Sequence, residues 1–269
     1  MSGEPKKTIV VKIGGSTLGS RDTSLEDLVA LQQRGCLPVV VHGGGPAVSD
    51  WLDRMGIPTR FEKGLRVTDA RSLEVVIAVL AGLVNKGLVA EIGHRGGRAL
   101  GLSGLDGQLI RARAGDPTLG YVGEITEINL EPLQAVLGAG YIPVIAPLAF
   151  GSGEKDRGSP TGALNVNADT AAGEISAALG GDKLIFLTDV PGISDGEGAT
   201  IPHLSPEEAR GLITSGVASG GMIPKIEASL RALRTTGTAR IIDGRRAHAL
   251  LQEIEGRAPG TTIDRKGSR

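Results

Sequence analysis

The sequence predicts an α/β fold: a three-layer sandwich with a mainly parallel central sheet, arranged as an N-terminal and a C-terminal lobe. Three observations predict it. Short β-branched runs alternate with helix-length amphipathic segments, the order that gives a parallel sheet covered on both faces by right-handed crossovers. Nearly all the helical segments end in glycine, the usual helix stop. Aromatic residues make up only 2% of the chain while glycines number 42. The core is therefore expected to be Leu, Val, Ile and Ala, with many tight turns and close backbone approaches.

In chain order, "TIVVKI" (8–13) reads as a buried strand, followed by an amphipathic helix over 25–35. "LPVVVH" (37–42) is the second strand, and Pro46 suits the first turn of a helix over 46–56. A long helix is expected over 70–97, with Asp69 as its cap. Residues 100–129 read as a β-rich excursion on the sheet's edge, with turn residues between short strands. A helix over 130–140 and a strand over 141–147 follow. The Gly/Ser-rich stretch 150–162 is expected to be a mobile loop. The last part reads as a helix over 168–181, a strand over 183–189, a helix over 223–237 and a strand over 239–243. We expect one domain over 1–269, with an acceptor-binding and dimerising lobe over 1–180 and a nucleotide lobe over 181–269.

A net charge of −1 gives no electrostatic case for a nucleic-acid or membrane partner. The single cysteine, Cys36, excludes an intramolecular disulfide and a cysteine-based zinc site, and reads as a buried inert thiol. No signal peptide is visible and no apolar run approaches the ~18 residues of a membrane span. A cytosolic location is expected.

Two glycine loops carry the chemistry. "KIGGS" and "HGGGP" each follow a strand and enter a helix. Such a turn leaves backbone N–H groups unpaired at a positive dipole end, a place for an anion. Either loop alone is equally an ordinary strand–helix turn, but here there are two, and Lys12 stands just before the first. No Walker A, dinucleotide-binding, zinc-protease or nucleophile-elbow pattern occurs. Arg66 in "GLRVTD" is either a solvated surface residue or a fork for a carboxylate. "NVNAD" puts Asn165, Asn167 and Asp169 at a helix start; capping accounts for one of them, which leaves polar contacts for the others. Lys225 opposes the dipole of its own helix start, a local cost that points mildly to function.

Taken together, "KIGGS", "VHGGGP", "GLRVTD", "GLVNKGLV", "NVNADTAA", "LTDVPGI", "GGMIPK" and "DGRRAHALL" resemble the amino-acid kinase family, in family order and essentially end to end. "GLRVTD" with "NVNAD" points to the branch whose acceptor is N-acetyl-L-glutamate. The resemblance implies transfer of the ATP γ-phosphoryl group to the side-chain carboxylate, an arginine-biosynthetic step. It implies Lys12 on the transferring phosphate, Lys225 on the leaving-group side and Asp169 positioning both. Gly14, Gly15, Gly43 and Gly44 would offer amides to the phosphoryl group; Gly44 and Gly45 would also border the acceptor pocket. Arg66 would bind the α-carboxylate, with Asn165 near the acetamido or carboxylate groups. ATP would lie against residues 188–193 and 217–222, including Thr188, Asp189, Val217, Ser219 and Gly221. Mg²⁺ would arrive on its phosphates, with no metal held by protein ligands alone.

Ser16 stands where many members have asparagine, and Pro224 before Lys225 is expected to favour an extended Ile223. The nearest alternatives are a sister kinase acting on carrier-linked aminoadipate or glutamate, and a non-catalytic sensor. Only eleven residues precede Lys12, too few for the N-terminal helix of arginine-inhibited relatives, so a homodimer insensitive to arginine is expected. Binding of a nitrogen-signalling regulator stays open.

Overall fold

The computed structural model of the chain describes residues 7–14, 23–62, 64–153 and 161–266. β1 (Thr8–Ile13) leads to α1 (Ser24–Gln33), then β2 (Leu37–His42) and α2 (Gly45–Arg54). β1 and β2 are parallel with Ile13 beside His42, so Gly14 and Gly43 leave the sheet side by side. A short hairpin, β3 (Phe61–Glu62) and β4 (Leu65–Arg66), stands apart from the main sheet. Asp69 accepts a hydrogen bond from Ser72 N at 2.8 Å and caps α3 (Ala70–Ile77).

The helix runs on through a π-helical stretch, Ala78–Val84, into α4 (Asn85–His94). Ala70–His94 spans 25 residues and contains an 18-residue window of mean hydropathy 2.0, long and apolar enough to cross a bilayer by length and composition. The expectation of no such run holds only for unbroken apolar stretches, since Ser72, Glu74 and Asn85 interrupt this helix. One side of this helix is core: Leu73, Val76, Val79, Leu80, Leu88 and Ile92 are buried.

β5 (Ala99–Gly104), β6 (Ile110–Ala114) and β7 (Gly123–Ile128) follow, then α5 (Leu130–Gly138), β8 (Ile142–Gly151) and β9 (Ala163–Asn165). The β6–β7 hairpin forms a sheet edge as expected, while β5 lies parallel beside β8. Of the loop expected to be mobile, residues 154–160 lie outside the described residues. The chain then forms α6 (Ala168–Leu179), β10 (Lys183–Thr188), β11 (His203–Leu204), α7 (Pro206–Thr214) and α8 (Met222–Ala232). It ends with β12 (Thr238–Asp243), α9 (Ala249–Ile254) and β13 (Thr261–Ile263).

The sheet runs β11-β13-β12-β10-β1-β2-β8-β6-β7, with β5 and β9 also paired to β8. It is mostly parallel, and its central strands are buried on both faces, which accounts for their unbroken apolar runs. On one face Val10, Val39, Val41 and Phe186 meet Ala171, Ile175 and Ile226 of α6 and α8. On the other, Ile9, Val11, Val40 and Ile185 meet Leu28 and Leu31 of α1 and Leu250 of α9. Cys36 is only half-buried, more open than expected.

From β1 the chain steps to β2 on one side, while β10 later docks on the other. Such a reversal opens a crevice beyond the carboxyl ends of the strands, where ligands of open α/β sheets bind.

Candidate active site

Lys12 sits near the end of β1, at that reversal, and is only 8% exposed. Its Nζ lies 2.7 Å from Asp169 Oδ1, while Lys225 Nζ donates to Asp169 Oδ2 at 3.1 Å. Among the described residues no donor is angled at Oδ1 as a hydrogen bond, so the Lys12 contact is one of charge. Asp169 thus holds one ammonium on each oxygen. Without it, buried Lys12 and half-buried Lys225 would face each other uncompensated, a state costing several kcal/mol. Each partner is placed by its element: Asp169 by the first turn of α6, Lys225 by the first turn of α8.

The α6 start divides the labour of "NVNAD". Asn167 caps the helix, accepting from Asp169 N at 2.9 Å and Thr170 N at 3.0 Å. Asn165, in β9, donates through Nδ2 to Thr68 Oγ1 at 3.2 Å. Asp169 is left for the lysines. At α8, Ile223 is helical and not extended as expected from Pro224. The proline occupies the first turn, where its missing N–H would have no partner anyway. Lys225 also donates to Gly221 O at 3.0 Å, which shortens its reach and ties it to the loop before the helix.

Beside this cluster is a cavity of about 180 Å³ lined by Gly43, Gly44, Gly45, Arg66, Asn165 and Asn167, with Val48, Leu80 and Val122 among its apolar walls. Gly43 N donates to Ile13 O at 2.9 Å and so joins the second loop to the end of β1. Gly14 lies at that same end; Gly15 and Ser16 lie outside the described residues. Gly44 is closely approached by the helix. A Cβ there would meet Leu80 Cδ2 at 2.5 Å, because the π-helical stretch closes over the loop.

Arg66 is buried at 8% exposure, against the reading of it as a solvated surface residue. Nη2 donates to Gly45 O at 2.9 Å and Ser49 Oγ at 2.8 Å, and the guanidinium lies over the Phe61 ring at 4.7 Å. Among the described residues it has no carboxylate partner, and Nε has no partner at all. Burial pushes its pKa down from the ordinary arginine value. A buried guanidinium without an anion is a cost that a carboxylate ligand would relieve. Ser49 was missed in the sequence; its signal is its place one turn after Gly45 on α2.

The remaining expected residues lie at the carboxyl ends on the other side of β1. Thr188 closes β10, where Leu187 pairs with Ile13. Its hydroxyl is engaged internally, donating to Val190 O at 2.8 Å. Asp189 is exposed, as are Val217, Ser219 and Gly221 on the loop before α8. A Cβ on Gly196 would lie 3.6 Å from Val217 Cγ1, so the loops after β10 and before α8 touch. None of these residues lines the cavity. The geometry therefore separates an arginine-bearing cavity on the β2 side of β1 from paired exposed loops on the β10 side, with the two lysines between.

The chain is similar to known proteins over most of its length. An acetylglutamate kinase of Dehalococcoides mccartyi is 45% identical over 255 residues, covering 95% of this chain and 93% of that protein. One of Nostoc sp. is 48% identical over 256 residues, covering 92% and 84%. The solved structure of N-acetylglutamate synthase from Neisseria gonorrhoeae, complexed with coenzyme A and N-acetyl-glutamate, superposes with a TM-score of 0.81 at 27% identity. The match covers 96% of this chain and 59% of that one. The family model for the amino acid kinase family matches residues 7–243, and the chain belongs to that family.

Proposed function

We propose that the protein transfers the γ-phosphoryl group of Mg-ATP to the side-chain carboxylate of N-acetyl-L-glutamate, forming N-acetyl-L-glutamyl 5-phosphate, the second step of arginine biosynthesis. The observation that carries this reading is the buried, anion-less Arg66 in a glycine-walled cavity beside two lysines held on one aspartate. The names of the 45–48% identical relatives support the choice of acceptor.

The acceptor is a carboxylate, ionised at neutral pH, so its oxygen attacks phosphorus with no proton to remove. The bond from phosphorus to the bridging oxygen of ADP breaks, and charge spreads over the transferring group. Catalysis is then a matter of alignment and positive potential rather than a general base. Lys12 meets the transferring phosphoryl group and Lys225 the leaving side. Asp169 keeps both in place, and the amides of Gly14, Gly15 and Gly44 face the oxygens, while Gly43, whose N–H is held by Ile13 O, fixes the loop to the end of β1 and Gly45 borders the acceptor. Arg66 takes the α-carboxylate, and Asn165 bonds near the acetamido group. Residues 188–193 and 217–222 hold the nucleotide; Thr188 shapes its loop while Asp189, Val217, Ser219 and Gly221 meet the ligand. Asp169 already carries a lysine on each oxygen, so this donor set suits Mg²⁺ borne by the ATP phosphates. Residues 1–180 then form the acceptor lobe and 181–269 the nucleotide lobe. Exposed Trp51, Met55 and Leu83 suit a self-associating chain, hence a homodimer. A cytosolic location follows from the biosynthetic reading.

The test is a hydroxylamine trap for acyl phosphate, with Mg-ATP and N-acetylglutamate, N-acetylaspartate, glutamate, aspartate or N-acetyl-aminoadipate. Hydroxamate with N-acetylglutamate alone is expected. Hydroxamate with another acceptor, or with none, would defeat the reading.

A further inference from the structure

His42 ends β2 just before the second glycine loop and is fully buried, outside the cavity. Its two ring nitrogens have different partners. Nδ1 lies 2.8 Å from Gly43 O, which can only accept, so Nδ1 carries the proton. Nε2 lies 3.1 Å from Asn85 Nδ2, which can only donate, so Nε2 is bare. The Asn85 amide is itself pinned. Its nitrogen also faces Val144 O at 2.8 Å and Leu102 O at 3.1 Å, and its oxygen accepts from Lys86 Nζ at 3.1 Å. Reversing the amide would set oxygen against two carbonyls. Burial, with a smaller push from the Lys86 charge, holds the ring neutral with a pKa of about 4.

The peptide joining Gly43 to Gly44 is planar and trans, so its C=O and N–H point in opposite directions. Fixing Gly43 O on the buried ring turns Gly44 N–H away from it. Gly43, Gly44 and Gly45 line the cavity and His42 does not. Among the described residues Gly44 N–H has no partner. We propose that His42 is a positioning residue for phosphoryl transfer: Asn85 imposes its Nδ1–H tautomer, which sets the Gly43–Gly44 peptide so that Gly44 N–H faces the anion in the site. What that amide meets rests on the kinase reading; the tautomer does not.

The tautomer is read in the full-length protein by ¹⁵N-histidine labelling and long-range ¹H–¹⁵N correlation, where only four histidines contribute signals. His42→Asn identifies the His42 signals, and an Nδ1–H ring is expected. In kinetics, His42→Asn keeps a donor at the Nδ1 position, whereas His42→Gln moves its amide to the Nε2 position and leaves Gly43 O without one. His42→Gln is expected to lose roughly tenfold to hundredfold in kcat, short of the ~10²–10³ for removing an oxyanion donor outright. KM values should stay within about threefold, and His42→Asn should recover most of the lost kcat. An Nε2–H ring in the wild type, or equal kcat losses in the two variants, overturns the proposal; the latter would reduce His42 to packing. Should His42→Gln fail to fold, the wild-type tautomer still decides. A wild type that forms no acyl phosphate while His42 proves to be Nδ1–H would remove the kinase reading and leave the loop geometry standing.

Discussion

Asp169 and Lys225 can meet because α6 and α8 cross closely at Gly173, one turn beyond Asp169. A Cβ on Gly173 would lie 2.7 Å from Ala228 O and 2.9 Å from Ala228 Cα. Both are backbone atoms that cannot swing aside, and ordinary contact begins near 3.4 Å. Gly173→Ala must therefore push the helices apart by about 0.7 Å at the crossing. Ala228 is three residues beyond Lys225, so the displacement reaches the pair. A Lys225–Asp169 distance of 3.1 Å would stretch to about 3.8 Å, past hydrogen-bond range. Overpacking costs about 1–3 kcal/mol, and replacing helical glycine by alanine returns about 1 kcal/mol. The net loss of about 0–2 kcal/mol leaves a folded protein. The expected result is a kcat lowered about tenfold or more, in proportion to the lost lysine placement, with a small change in urea midpoint. Coupled ADP release at saturating substrates measures the first, and equilibrium unfolding the second. Wild-type kcat in a Gly173→Ala protein of unchanged stability would refute the reasoning that helix spacing sets Lys225.

Three further outcomes are expected. Lys12→Met and Lys225→Met should each lower kcat by roughly 10²–10³ with little change in KM, since their charge acts chiefly in the transition state; steady-state kinetics checks this, and a pure KM effect would exchange their roles for binding. Arg66→Ala should raise the KM for N-acetylglutamate about 30-fold, the equivalent of roughly 2 kcal/mol for a charge-assisted bond, while kcat holds. His248 Nδ1 lies 2.7 Å from buried Asp27, whose bond and charge raise the histidine pKa, and burial raises that of Asp27. Both shifts favour protons on the native state, so stability from the pair is full below the ordinary histidine pKa and falls as pH rises through the raised one. The Tm gap between wild type and His248→Ala should narrow modestly from pH 6 to pH 9, because the half-exposed ring is screened. A gap that widens would reverse the sign.

The five central strands were legible because burial on both faces writes an unbroken apolar run, as in "LPVVVH". The helices were legible by their period and glycine stops. α7 also carries a local signal, since Ser205 and Glu208 form a reciprocal capping box. α9 and β13, of six and three residues, are too short for periodicity to show. For the site, local rules marked Lys12, Arg66 and Lys225 as unusual but could not join them. Their convergence on the β1 reversal depends on strand order, which no local pattern contains, and the family resemblance supplied it. The His42–Asn85 contact spans 43 residues, and Pro224 misled because the rule for the residue before a proline yields to a helix's first turn.

The central claim is that a carboxylate oxygen of N-acetylglutamate becomes bonded to the γ-phosphorus of ATP. Its most direct test uses N-acetylglutamate carrying ¹⁸O in the side-chain carboxylate, with Mg-ATP and the protein, followed by ³¹P NMR. The account predicts an acyl-phosphate resonance displaced by the isotope, since the bridging oxygen comes from the acceptor. An undisplaced resonance, or none while ATP is still bound, would contradict it.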